Sequence, residues 1–159
     1  MRIARIGSAG HEKPAVVTAN EYILVDSLID DWSRASLEAG AMAKVAAADL
    51  TGLPHVAKGS TRIGSPINRP TKVICVGLNY LGHIKETNAD TPAEPVIFMK
   101  APDSVVGPND DIVIPPNSTA TDYEVELAIV IGKRALYLNS AADSKAHILG
   151  YTISQDVSE

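Results

Sequence analysis

Residues 122–132, DYEVELAIVIG, are the stretch on which the reading of this chain turns. A strand period of two sends Tyr123, Val125, Leu127 and Ile129 to one face and Glu124, Glu126, Ala128 and Val130 to the other. The acidic face becomes apolar within one residue pair, at Ala128 and Val130. Two readings stay open: a half-buried strand with solvated carboxylates, or a covered face where two like charges need a cation between them.

The flanking sequence reads as further strands. KVICVGL (72–78) is apolar on both faces and β-branched, which predicts a fully buried strand, with Cys75 in the core. PVIFMK (95–100), DIVIPP (111–116) and ILGYTISQDV (148–157) are each bounded by Pro, Gly or Asn and predict strands. GPNDD (107–111) marks a turn, and NYLGHIKETN (79–88) predicts one or two helical turns.

Towards the N-terminus, RIARI, PAVV and EYILV are short runs separated by GSAG and TAN, the spacing of small strands with tight turns. One helix is expected from Ser36 as N-cap, with Leu37, Ala41, Val45 and Ala48 along one side and Thr51-Gly52 and Pro54 as the stop. Trp32 is expected to cap this small unit. Residues 53–70, rich in Gly, Pro and Ser without a sustained period, read as a linker. The expected organisation is a small α/β domain over 1–66 and a β-rich domain over 67–159, α+β in class.

The formal charge of -5, with no cluster of Lys or Arg, argues against nucleic acid, and an aromatic content of 4% supplies few stacking platforms. No stretch reaches the ~18 apolar residues that a membrane span needs. With no apolar run near the start and a single cysteine, a cytoplasmic protein acting on small molecules is the expectation.

A hard cation would answer the need at Glu124 and Glu126, because carboxylate oxygens are the preferred ligands of Mg²⁺, Mn²⁺ or Ca²⁺. The four histidines have no zinc-ligand spacing. Asp156, at the end of an apolar strand, is the candidate third carboxylate. Asp122 is a weaker one, standing where turn or capping roles are commoner. His83 and Glu86, three apart on a helical turn, can lie on one side, either as a surface ion pair or as a general base and the carboxylate that orients it. Lys100 ends a strand, solvated or beside an anionic substrate, and Tyr80 is counted with it as a candidate substrate contact.

VGLNYLGHIKET, EPVIFMKAPDSVVGPNDDIVIP, TDYEVELAIVIGK and GYTISQDVSE, in that order, resemble the fumarylacetoacetate hydrolase family over about residues 70–159. RIGSAGHEKPAVV resembles the small N-terminal domain of many bacterial members, most similar to those acting on 2,4-diketo-3-deoxy sugar acids. The resemblance implies a mixed β-roll, a Mg²⁺ or Mn²⁺ ion and a homodimer. It puts the family's metal carboxylates on Glu124, Glu126 and Asp156 and its general-base pair on His83 and Glu86, and Lys100 matches a recurrent family lysine. The activity implied is cleavage of a carbon–carbon bond in 2,4-dioxo acids to give pyruvate and a second acid. Decarboxylation of oxaloacetate-type acids and isomerisation of unsaturated dioates are its relatives. Because family members continue beyond Ser158-Glu159 to a further lysine and a glycine-rich closing segment, the roll is expected to be incomplete. An inactive fragment that only dimerises or binds a partner is the alternative class.

Overall fold

The computed structural model describes residues 1–159. The first four strands, β1 (Ile3–Ile6), β2 (Lys13–Val17), β3 (Glu21–Leu24) and β4 (His55–Ala57), form one antiparallel sheet in chain order. Ile3 faces Val16, Ala15 faces Leu24 and Tyr22 faces Val56 across it. The turn between β1 and β2 reverses within a few residues because Gly7 and Gly10 take positive φ of 126° and 79°. β4 lies inside the stretch expected to be a linker. Its pairing with β3 orders that stretch, and Asn68 then donates to Asp31 Oδ2 (2.7 Å) and to the Trp32 carbonyl (2.9 Å).

The expected single helix is two, α1 (Arg34–Glu38) and α2 (Ala41–Ala47). Gly40, at φ 85°, breaks the ladder between them, and the N-cap is Ser33, whose hydroxyl accepts from the Ser36 amide, rather than Ser36. Trp32 is not a cap either. It is fully buried among Val16, Val25, Ile29, Ala41 and Val45, and its Nε1 donates to the Ala15 carbonyl at 3.3 Å. Both hydrophobic clusters of the chain lie within residues 3–67.

The remainder is two antiparallel hairpins and a short helix. β5 (Val73–Gly77) pairs with β6 (Val96–Lys100), and β7 (Val125–Ile131) pairs with β8 (Ile148–Gln155). α3 (Leu81–Glu86) follows β5 through Leu78, which adopts φ 51°. The expectation that β5 is fully buried fails: only Cys75 is buried and Ile74 is 58% exposed, because each sheet here has two strands and one face left open. The expected strand at 111–116 does not form. Pro115 and Pro116 lack amide donors, and Val113 is 88% exposed. The class is α+β and sheet-rich, with no closed barrel.

The two halves meet through a charged knot. Arg62 donates to Asp110 Oδ1 and Glu12 Oε1, each at 2.6 Å, and Arg5 donates to Glu12 Oε2 (3.2 Å) and Asp31 Oδ1 (2.7 Å). Beside it, Gly107 is packed so closely that a Cβ there would stand 2.2 Å from the Ile63 carbonyl oxygen.

Candidate active site

Cross-strand register assembles the acidic site. β7 and β8 pair with Val125 opposite Gln155, the Asp156 amide donates to the Glu124 carbonyl at 2.8 Å, and Asp122 bridges Ser158. Asp156 therefore stands opposite Glu124 on the same face, with Glu126 one step along it. That face is the covered one: Glu126, Ala128 and Val130 are half-buried while Val125, Leu127, Ile129 and Ile131 are exposed. Asp156 is 7% exposed. Asp122 takes the local role foreseen for it, accepting from the Tyr123 amide at 2.8 Å.

A cleft of about 390 Å³ brings together Tyr80, His83, Glu124, Glu126 and Asp156, with Gly77 to Asn79 and Phe98 at its wall. A larger cleft of about 490 Å³ lies beside Arg5, Glu12 and Arg62, whose charges are already paired with one another or with Asp31 and Asp110. The chemistry therefore gathers in the smaller space. His83 Nδ1 lies 3.8 Å from Glu86 Oε2, an ion-pair distance rather than a hydrogen bond, and Glu86 is exposed outside the cleft. Tyr80 ties α3 to β7, its hydroxyl accepting from the Leu127 amide at 2.9 Å.

Burial pushes the Glu126 carboxyl up, helped by the charges of Asp156 and Glu124 and opposed by Lys100. The three carboxylates are close enough to repel, yet no three His, Cys, Asp or Glu side chains are spaced to hold a metal ion. Asp156 is paired with Lys100 and Glu124 Oε1 accepts from Ser158 Oγ at 2.6 Å, so both already have protein partners. The donor set, half-buried carboxylate oxygens whose charge a single lysine only partly offsets, fits a hard divalent cation in kind and place. A cation entering here would compete with these partners for Glu124 and Asp156.

Two residues, Cys75 and Ser158, escaped the sequence reading as parts of the site, and Lys100, singled out there, has protein partners. Cys75 is buried, but it lies against Asp156, and burial with the neighbouring carboxylates raises its thiol to about 11. Lys100 donates to the Val157 carbonyl at 2.6 Å as well as pairing with Asp156, so its ammonium is engaged by protein groups. Ser158 holds Glu124. The dense polar tail of ISQDVSE was the available signal, but only the register with β7 says which partners those residues meet.

The family description "Fumarylacetoacetate (FAA) hydrolase C-terminal" matches residues 72–159. The chain belongs to the fumarylacetoacetate hydrolase family. Within it, a 2,4-didehydro-3-deoxy-L-rhamnonate hydrolase of Sphingomonas sp. (strain SKA58) is 40% identical over 161 residues, covering 100% of this chain and 54% of that protein. A mitochondrial oxaloacetate tautomerase of Bos taurus is 47% identical over 108 residues, 68% of this chain and 34% of its own length. The crystal structure of maleylpyruvate hydrolase from Sphingobium sp. SYK-6, in complex with manganese (II) ion and pyruvate, superposes with a TM-score of 0.77 at 25% identity, covering 99% of this chain and 58% of that one. This chain thus spans between a third and about three fifths of the length of these family members, which include hydrolases and a tautomerase. No helix in it is long and apolar enough to cross a membrane.

Proposed function

We propose that this chain carries the metal carboxylates and the general base of a hydrolase that cleaves 2,4-dioxo acids, acylpyruvates or 2,4-diketo-3-deoxy sugar acids, to pyruvate and a second acid. The observation that carries the reading is the single cleft onto which His83, Glu124, Glu126 and Asp156 all open. The Sphingomonas relative, a hydrolase of a 2,4-didehydro-3-deoxy sugar acid aligned with the whole of this chain, supports the substrate class.

Glu124, Glu126 and Asp156 would hold a Mg²⁺ or Mn²⁺ ion, which supplies electrophilic stabilisation of negative charge on the 2-oxo oxygen when bound. The manganese of the Sphingobium structure supports this choice. His83, with Glu86 at ion-pair distance from its Nδ1, takes a proton from a water in the cleft. That water's oxygen bonds to the distal carbonyl carbon, the bond between carbons 3 and 4 breaks, and its electron pair passes to the pyruvate side as an enolate. A proton returned to carbon 3 completes pyruvate.

Assay of the chain with Mn²⁺ and an acylpyruvate tests the reading. Pyruvate release that disappears in Glu126→Ala supports it, as does His83→Ala keeping Mn²⁺ affinity while losing hydrolysis. A second reading, tautomerisation or decarboxylation of an oxaloacetate-type acid, is favoured by the 47% identity to the bovine tautomerase. Neither reaction adds water, although tautomerisation still needs a base to move the carbon 3 proton, so turnover of oxaloacetate by a chain that releases no pyruvate from an acylpyruvate would select it. The absence of a preformed three-ligand cluster and the open sheet faces favour a third, a binding or dimerising unit, which no turnover by the unmutated chain would select.

A further inference from the structure

Lys100 closes β6 on the face it shares with Cys75 of β5, since Cys75 pairs with Phe98 and Val73 pairs with Lys100. From there its side chain reaches the other hairpin. Nζ donates to the Val157 carbonyl at 2.6 Å and pairs with the buried carboxylate of Asp156. It is the one basic side chain paired with any of the three site carboxylates. Its charge also opposes the two carboxylates that bear on Glu126. In the empty cleft its charge is engaged by protein groups, Asp156 and the Val157 carbonyl.

The two acceptors are consecutive residues. A cation held by Val157 can release Asp156 without leaving its place, and it can take Asp156 back when the site empties. Without any cation, three partly desolvated carboxylates on one face would destabilise the junction of the two hairpins.

We propose that Lys100 is the positioning residue of this acidic face: an internal counter-cation that holds Asp156 in the metal-free chain and yields its carboxylate when a divalent cation enters. The inference rests on the metal reading given above and deepens it. A lysine that merely braces the fold would strengthen metal binding; a placeholder competes with the metal for one ligand and repels it.

The test is Mn²⁺ affinity by calorimetry at pH 8 for the unmutated chain, Lys100→Gln, Lys100→Met and Lys100→Arg. Removing a unit charge a few ångströms from the ion is expected to tighten Mn²⁺ binding about tenfold or more in the two neutral variants. Lys100→Arg should bind like the unmutated chain. Neutral variants that bind equally or more weakly, or an arginine variant that behaves like glutamine, overturn the assignment. A measurement on the unmutated chain is independent of how the variants fold: saturating Mn²⁺ should raise the acylation rate of Lys100 several-fold, read by peptide mass spectrometry. Unchanged labelling overturns the proposal. If Mn²⁺ binds the unmutated chain and is lost in Glu126→Gln while Lys100→Gln is not tighter, the Lys100 role alone fails. If the unmutated chain binds no Mn²⁺, the metal reading fails and takes the Lys100 role with it.

Discussion

Glu126 carries a charge that the metal-free chain would be more stable without, because burial, Asp156 and Glu124 all disfavour it and only Lys100 opposes them. Glu126→Gln keeps the shape and removes the repulsion. The melting temperature without metal is expected to rise by roughly 2–4 °C, about one kcal/mol for a chain of this size, and the stabilisation by added Mn²⁺ to vanish. A lower melting temperature would mean that the ionised form is structurally required. At this scale the sequence is partly legible. The period of two alone puts Glu124 and Glu126 on one face, and the burial of Ala128 and Val130 follows from the same count. Asp156, a candidate by its place at a strand end, rested mainly on the family pattern, since a strand's own residues do not say which residue of the partner strand faces them. Cys75 read as plain core for the same reason: its neighbour Asp156 is 81 positions away in the sequence.

At the scale of elements, alternation and turn residues located the hairpin strands, and the misses came from single residues and missing partners. Gly40 looked compatible with one long helix, but with φ at 85° it divides α1 from α2. Gly40→Ala is expected to cost about 1 kcal/mol, and denaturation at a higher midpoint than the unmutated chain would show that the helices had fused to advantage. DIVIPP has the composition of a strand but finds no neighbour to pair with, which composition cannot reveal. α3 is a two-turn helix, too short to be stable by propensity alone. The Tyr80 hydroxyl anchors its start to the Leu127 amide on the edge of β7 not paired with β8. Tyr80→Phe should cost about 1 kcal/mol and speed hydrogen exchange at the Leu127 amide. Unchanged exchange there would mean that α3 is held by its buried Ile84 instead.

Across the whole molecule, apolar burial and charge have separate jobs. The two hydrophobic clusters stabilise residues 3–67, whereas both hairpins present open apolar faces, among them Ile97 and Met99 of β6 and Leu127 and Ile129 of β7. Without a shared apolar core, the halves are joined by Arg62 between Glu12 and Asp110, beside the close approach of Gly107 to Ile63. This knot should govern the acid limb of stability. For Glu12, burial works against ionisation, but hydrogen bonding to Arg62 and the charge of Arg5 win and lower its pKa; the Arg62 hydrogen bond and the Gly107 amide lower that of Asp110. Folded values below the unfolded ones mean that the folded chain binds fewer protons, so the stabilisation is fully present above the ordinary carboxylate range. It is lost as pH falls through the lowered values. Arg62→Met removes the partner and leaves Glu12 buried with Arg5 alone. At pH 7 it should lower the melting temperature by roughly 4 °C or more, and the gap to the unmutated chain should begin to shrink near pH 4, the range of the unfolded carboxyls, and close as pH falls through the lowered folded values. A gap that stays constant down to pH 3 would show that Arg62 acts through the packing of its aliphatic stem rather than through its two carboxylates.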